Sequence, residues 1–242
     1  MFEKNDVSLQ SMNKIYATLS ADIVDSTSLS AEDTIKLKES LEDFFPVMRQ
    51  FCEQAWGRVV RGDSVECVIP DVSQSLRIGL LLKCYVRSLD LVSASAILKR
   101  KGIRMVIGLG TLRIADQKLG IIDGEAIYNS GRELDAMSAS DQVTLSLVSS
   151  ELHVGGYAAL CDVLGYLVDR ATNKQCSVLF YLLMGYSQKM IAQTMGLEPS
   201  TVSQHAAALG WGAIQRALGW GAIQRALAKF EKENYNQERT VK

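Results

Sequence analysis

Residues 58–70 read RVVRGDSVECVIP. Two short runs rich in Val and Ile flank a Gly-Asp pair, which is the signature of a β-hairpin with its turn at Gly62-Asp63. A hairpin forces its two strands to run antiparallel, so a purely doubly wound parallel sheet is disfavoured. Upstream, KIYATLSAD (14–22) alternates apolar and β-prone residues and reads as a strand. Between them, residues 30–56 place Ile35, Leu37, Leu41, Phe44, Phe45, Val47, Met48 and Phe51 at helical spacing. Ser30 with Asp33 three positions later opens that helix as a cap, and Pro46 can kink it.

Downstream of the hairpin, residues 73–100 carry a second long helical pattern and IRMVIGLGTLRIAD (103–116) reads as a strand. DGEAIYNSGRELDAMS (123–138) is a helix entered from a glycine turn, QVTLSLVSS (142–150) a strand, and residues 153–171 another helix. The order β, α, β, β, α, β, α, β, α predicts an α+β domain: a ferredoxin-like sheet with helices on one face. After residue 170 strand signals stop and short helices separated by glycine take over. The expected division is a flexible N-terminus at 1–13, an α/β domain at 14–170 and a small all-α domain at 171–242, with the boundary near Ala171-Thr172-Asn173.

Composition fits this reading. Of 242 residues, 48% are hydrophobic and 7% aromatic, enough for a sizeable core. The polar start MFEKNDVSLQSMNK lacks the apolar stretch of a signal peptide, and runs such as VLFYLLMGY (178–186) are short of a membrane span. The five cysteines are far apart and none has metal-ligand spacing. They read as reduced core residues of a cytoplasmic protein without membrane contact. Charge is uneven: residues 170–242 hold nine Lys or Arg against four Asp or Glu, whereas residues 1–169 hold 17 against 23. A basic tail on an acidic body suits an anionic partner such as nucleic acid, or a solvated helix surface.

The segment YSQKMIAQTMGLEPSTVSQHAAAL (186–209) has a mechanical pattern. Ser187 can cap a first helix, and Ala192 is small where two helices cross. Gly196 allows the turn, which Leu197 plugs. Pro199 starts a second helix, and Val202 faces the core. The pattern resembles a helix-turn-helix of the sigma-factor and response-regulator type, in which the second helix enters the DNA major groove. It would present Ser200, Thr201, Ser203, Gln204 and His205 to base edges, with Lys189 among the phosphate contacts; two short helices that only hold a partner would look alike. Immediately after it, GWGAIQRAL occurs at 210–218 and again at 219–227. A tandem slip explains the repeat better than one continuous helix, since nine residues rotate the second copy by about half a turn.

The first strand ends in ADIVDSTSL (21–29), and its Asp22, Asp25, Ser26 and Thr27 admit either a capped turn or a cation and phosphate site. This segment resembles the first-strand signature of class III nucleotidyl cyclases and related palm domains. RVVRGDSVECVI resembles their hairpin, IRMVIGLG their later strand, and GEAIYNSGRELD (124–135) the helix whose arginine meets a triphosphate. The resemblance implies a divalent cation, Mg²⁺ or Mn²⁺, held by Asp22 and Asp63. It also implies a nucleotide or other phosphate ligand near Asp25, Ser26, Thr27, Arg104 and Arg132, and a homodimer. Val59 and Tyr128 stand where that family has a lysine and an asparagine. The site is therefore expected to bind better than it turns over. The whole chain is similar to the SatD-like family, which joins such segments to a C-terminal helix-turn-helix. That resemblance implies a bacterial cytoplasmic DNA-binding regulator whose first domain senses a nucleotide or metal or serves as a dimerisation scaffold. A Mg-dependent nucleotide-processing enzyme and a protein-interaction adaptor are the alternatives.

Overall fold

The structure, a computed structural model, describes residues 14–137 and 143–219. Its first strand is β1 (Ile15–Ile23), followed by a tight 3-10 turn and the helix α1 (Ala31–Arg49). The Ser30 hydroxyl accepts from the Asp33 amide at 3.2 Å, as the capping pattern requires. Leu37, Leu41, Phe44 and Met48 form its buried stripe. The hairpin follows as β2 (Trp56–Val60) and β3 (Ser64–Ile69). Its turn sits one residue earlier than expected, because Arg61 and Gly62 carry the positive φ angles, 55° and 86°. Asp63 is already in the ladder, its carbonyl accepting from Ile23 N at 3.0 Å.

The pattern over 73–100 is two helices, α2 (Ser75–Ser88) and α3 (Ala96–Lys101). The break has a tertiary cause. Asp33 of α1 accepts from both the amide and the hydroxyl of Ser93, at 2.7 and 2.5 Å, which pins the connecting segment in a non-helical path. Ser95 then caps α3. Next come β4 (Ile103–Thr111), β5 (Ile114–Asp116) and β6 (Ile121–Asp123). The strand expected over 103–116 thus ends at Thr111, and β5 pairs with β6 in a separate two-stranded sheet. Gly124, at φ 142°, lets the chain return against Leu112, where a Cβ would lie 2.7 Å from the Leu112 Cα. Then follow α4 (Glu125–Ala136), β7 (Leu145–Val148) and α5 (Gly155–Arg170).

The main sheet has the order β2-β3-β1-β4-β7, antiparallel throughout except for the parallel β4–β7 pair. The helices do not all lie on one face. Leu19, Met105 and Ile107 lie against Gly79 of α2. On the opposite face, the Thr18 and Ser20 hydroxyls meet Ser130 of α4, at 3.1 and 2.8 Å. Gly108 shows why α4 escapes a one-faced reading: a Cβ there would fall 2.1 Å from the Ala126 carbonyl oxygen. The small residues of IGLG admit a helix pressed directly on the strand.

The remaining helices are α6 (Asn173–Leu183), α7 (Gln188–Met195), α8 (Pro199–Ala208) and α9 (Trp211–Gly219). Thr172 and Gln175 form a reciprocal cap that starts α6. One face of α6 places Cys176, Leu179 and Leu183 in the main core. Its other face, Val178 and Leu182, joins Ile191, Ala192, Val202 and Ala206 in a second cluster. All five cysteines are free and buried. The second copy of the nine-residue repeat lies outside the described residues from 220 onward. Among the described residues, no helix is long and apolar enough to cross a membrane.

Candidate functional site

Two places carry the candidate residues: the end of the central sheet and the C-terminal helices. At the sheet end, register sets the chemistry. Asp22 of β1 stands directly opposite Arg104 of β4 and, on its other side, opposite Ser64 of β3. Arg104 grips Asp22 through two parallel bonds, Nε to Oδ1 at 2.6 Å and Nη2 to Oδ2 at 2.7 Å. Its remaining nitrogen, Nη1, donates to the Met137 carbonyl. Asp63 accepts from the Ser26 hydroxyl at 2.6 Å and weakly from the Ser64 hydroxyl at 3.4 Å.

The expected cation fits this set poorly. Both oxygens of Asp22 are committed to a guanidinium, whose charge would repel a dication at close range. Asp63 then remains as one carboxylate whose oxygens already accept hydrogen bonds. Among the described residues no group of three or more His, Cys, Asp and Glu is placed to hold a metal ion. Asp25 adopts a left-handed conformation, φ 56°, and its carbonyl accepts from the Ser28 amide and hydroxyl. Asp25 and Thr27 are exposed, and so is Arg132 on α4. The structure therefore pairs Asp22 with Arg104 and Asp63 with Ser26.

A further polar group, which the sequence pattern gave no reason to single out, sits beside the small hairpin. Asp123 accepts from Arg113 and from the Tyr128 hydroxyl. The Tyr128 bond first, and then the Arg113 bond, hold the Asp123 carboxyl below its usual range, and the hydrogen bond to Asp123 pushes the Tyr128 phenol above its own. Tyr128 thus has a local partner in the position where the cyclase pattern has asparagine.

The C-terminal helices realise the mechanical pattern position by position. The Ser187 hydroxyl accepts from Met190 N at 3.3 Å. Gly196 closes α7 in the left-handed region at φ 62°, and Leu197 N bonds back to the Ala192 carbonyl at 2.9 Å. Pro199 occupies the first turn of α8. Val202 and Ala206 are buried against Ala192 and Ile191, so the opposite side of α8 is presented outward. Ser200, Ser203 and Gln204 are exposed there, Thr201 and His205 are half-buried at its edges, and Lys189 is exposed on α7.

Residues 170–210 match the family model for bacterial regulatory proteins of the luxR family. A search of curated proteins found no match. Among solved structures, a bacterial light-regulated adenylyl cyclase aligns with 14% identity and a TM-score of 0.34, over 55% of this chain and 74% of that one. That likeness is too slight to bear on the fold. The geometry of α7 and α8 and the family match agree on the same segment: the chain carries a luxR-type helix-turn-helix, the DNA-binding domain of a transcriptional regulator.

Proposed function

We propose that this chain regulates transcription in the bacterial cytoplasm by binding duplex DNA as a homodimer, with α8 in the major groove and the sheet domain serving as the dimerisation scaffold. The observation that carries the reading is the outward face of α8. Its polar residues Ser200, Ser203 and Gln204 are exposed while Val202 and Ala206 are buried in the cluster beneath. Phosphate contacts come from Lys189 and the basic C-terminal segment, and base-edge contacts from Ser203, Gln204 and His205. Two copies are needed to read a symmetric operator. A ferredoxin-like core is supported by the order β2-β3-β1-β4 with antiparallel neighbours, to which β7 adds a parallel edge. The order of sequence segments supports the SatD-like reading. A sensing role through a shared cation draws no support from the Asp22–Arg104 pair.

The test is duplex binding. Selection from random duplexes followed by fluorescence anisotropy should give a preferred sequence. Replacing Gln204 and His205 together by Ala should cost about 1–3 kcal/mol of discrimination while leaving non-specific affinity nearly unchanged. Light scattering should report a dimer. Absence of duplex affinity at low salt would refute the reading.

A further inference from the structure

Beside α3 and α5 lies a cavity of about 820 Å³, within the range of small-molecule sites. Its lining is strongly basic: Arg87, Lys99, Arg100 and Arg170, with Tyr166 and Asp169. The one carboxylate does not cancel this charge, because Asp169 is already paired with the fully buried Lys83 at 2.8 Å. Nor does the negative end of α5. Arg87 donates from Nη1 and Nη2 to the Val168 and Ala171 carbonyls, at 2.8 and 2.6 Å, and so covers the last carbonyls of that helix. Arg87 is 4% exposed, and its buried Nε has no hydrogen-bond partner. A buried donor left unpaired is costly and is relieved by an acceptor. Lys99, Arg100 and Arg170 are exposed at the rim, where like charges repel until an anion arrives.

We propose that this cavity binds a phosphate-bearing small molecule. Guanidinium groups match phosphate oxygens bidentately; Arg100 and Arg170 provide two at the rim, and the unpaired Nε of Arg87 adds a single buried donor. The volume exceeds what a single phosphate fills and suits a polyphosphate chain, free or carried by a nucleoside. Tyr166 separates these two sources. Its ring is exposed and carries the Arg170 guanidinium over one face at 5.6 Å, so a base entering the site would stack on this aromatic and guanidinium pair. The site is distinct from the Asp22 and Asp63 region and does not rest on the DNA-binding reading.

The experiment is thermal unfolding of the full chain in EDTA at constant ionic strength, with tripolyphosphate or ATP as probe. EDTA removes any metal-dependent contribution from the sheet end. Tripolyphosphate should raise Tm saturably, by about 3 °C or more at ten times its Kd. The exposed pair Lys99→Glu with Arg100→Glu, or the milder Lys99→Gln with Arg100→Gln, should abolish the shift. Lys189→Glu, on the helix-turn-helix, should retain it. A larger shift with ATP that Tyr166→Ala reduces to the tripolyphosphate value would assign a nucleoside ligand; equal shifts would assign an inorganic one. The proposal is overturned by no saturable shift, by an equal shift in the Lys99/Arg100 variants, or by loss of the shift in Lys189→Glu, which would move the anion to the DNA-binding surface.

Discussion

Asp22 is the residue on which the sequence allowed most and the structure allows least. A carboxylate at the end of a buried strand needs a counter-charge, and the sequence offered a cation or a local turn. The structure supplies a third partner from the neighbouring strand, Arg104, in a two-bond grip. The pair fixes the sign of a substitution effect. Were Asp22 and Asp63 in mutual repulsion, Asp22→Asn would stabilise the metal-free protein. With Arg104 facing it, Asp22→Asn should destabilise by about 1–3 kcal/mol, since the two-bond grip loses its negative charge. Urea unfolding in EDTA measures this, and a gain in stability would show that Asp22 is repelled by its surroundings rather than held by Arg104. Asp33 gives a second test, on the acid side. Hydrogen bonds from the Ser93 hydroxyl and amide hold its carboxyl below the ordinary range. A carboxyl lowered in the folded state adds stability above its unfolded pKa, near 4, and loses it as pH falls through the lower folded value. The stability difference between wild type and Asp33→Asn should therefore be constant above about pH 5 and shrink below about pH 4. A difference that stays constant down to pH 2 would show that the bonds do not depend on the charge.

At the scale of elements, what the sequence showed was whatever depends on neighbours along the chain. The cap at Ser30, the hairpin, the left-handed Gly196 and the Pro199 start are local signals, and each appears in the structure, the hairpin turn shifted by one residue. The misreadings share a different cause: contacts between distant segments. Residues 89–95 are apolar enough for a helix, yet Asp33, some 60 positions away, captures Ser93 and breaks it. The α4 helix lies opposite α2 because Gly108 and Gly110 of β4 leave room, and nothing in the periodicity of α4 says which face it covers. The small β5–β6 sheet consists of two three-residue strands, below the length at which alternation can be read. The partnership of Asp22 with Arg104 was hidden for the same reason. It depends on register between strands 80 residues apart, and both residues were picked out singly without being paired.

At the scale of the molecule the question is how the sheet domain and the helix-turn-helix are joined. A change of texture near residue 171 marks two units in the sequence, but α6 belongs physically to both. Cys176, Leu179 and Leu183 complete the core that contains α2, while Val178 and Leu182, on the other side of the same helix, close the smaller cluster under α8. Leu209 and Ile214, beyond the reading helix, return to the main core. Phe180 also packs on Tyr85, which in turn meets Phe44, so an aromatic chain runs from α6 through α2 to α1. The helix-turn-helix cluster is small and is floored by α6, so it has little apolar burial of its own with which to persist once α6 detaches. Detaching α6 would also uncover Cys84 on α2, which is fully buried beside Cys176. The two parts should therefore melt together. Calorimetry should show a single transition whose van't Hoff and calorimetric enthalpies agree. Leu179→Ala, in a fully buried position of the shared face, should destabilise that whole transition by about 2–5 kcal/mol rather than split it. If instead the variant gave two transitions, with the sheet domain melting at the wild-type temperature, α6 would be a tether between independent domains and not a common wall.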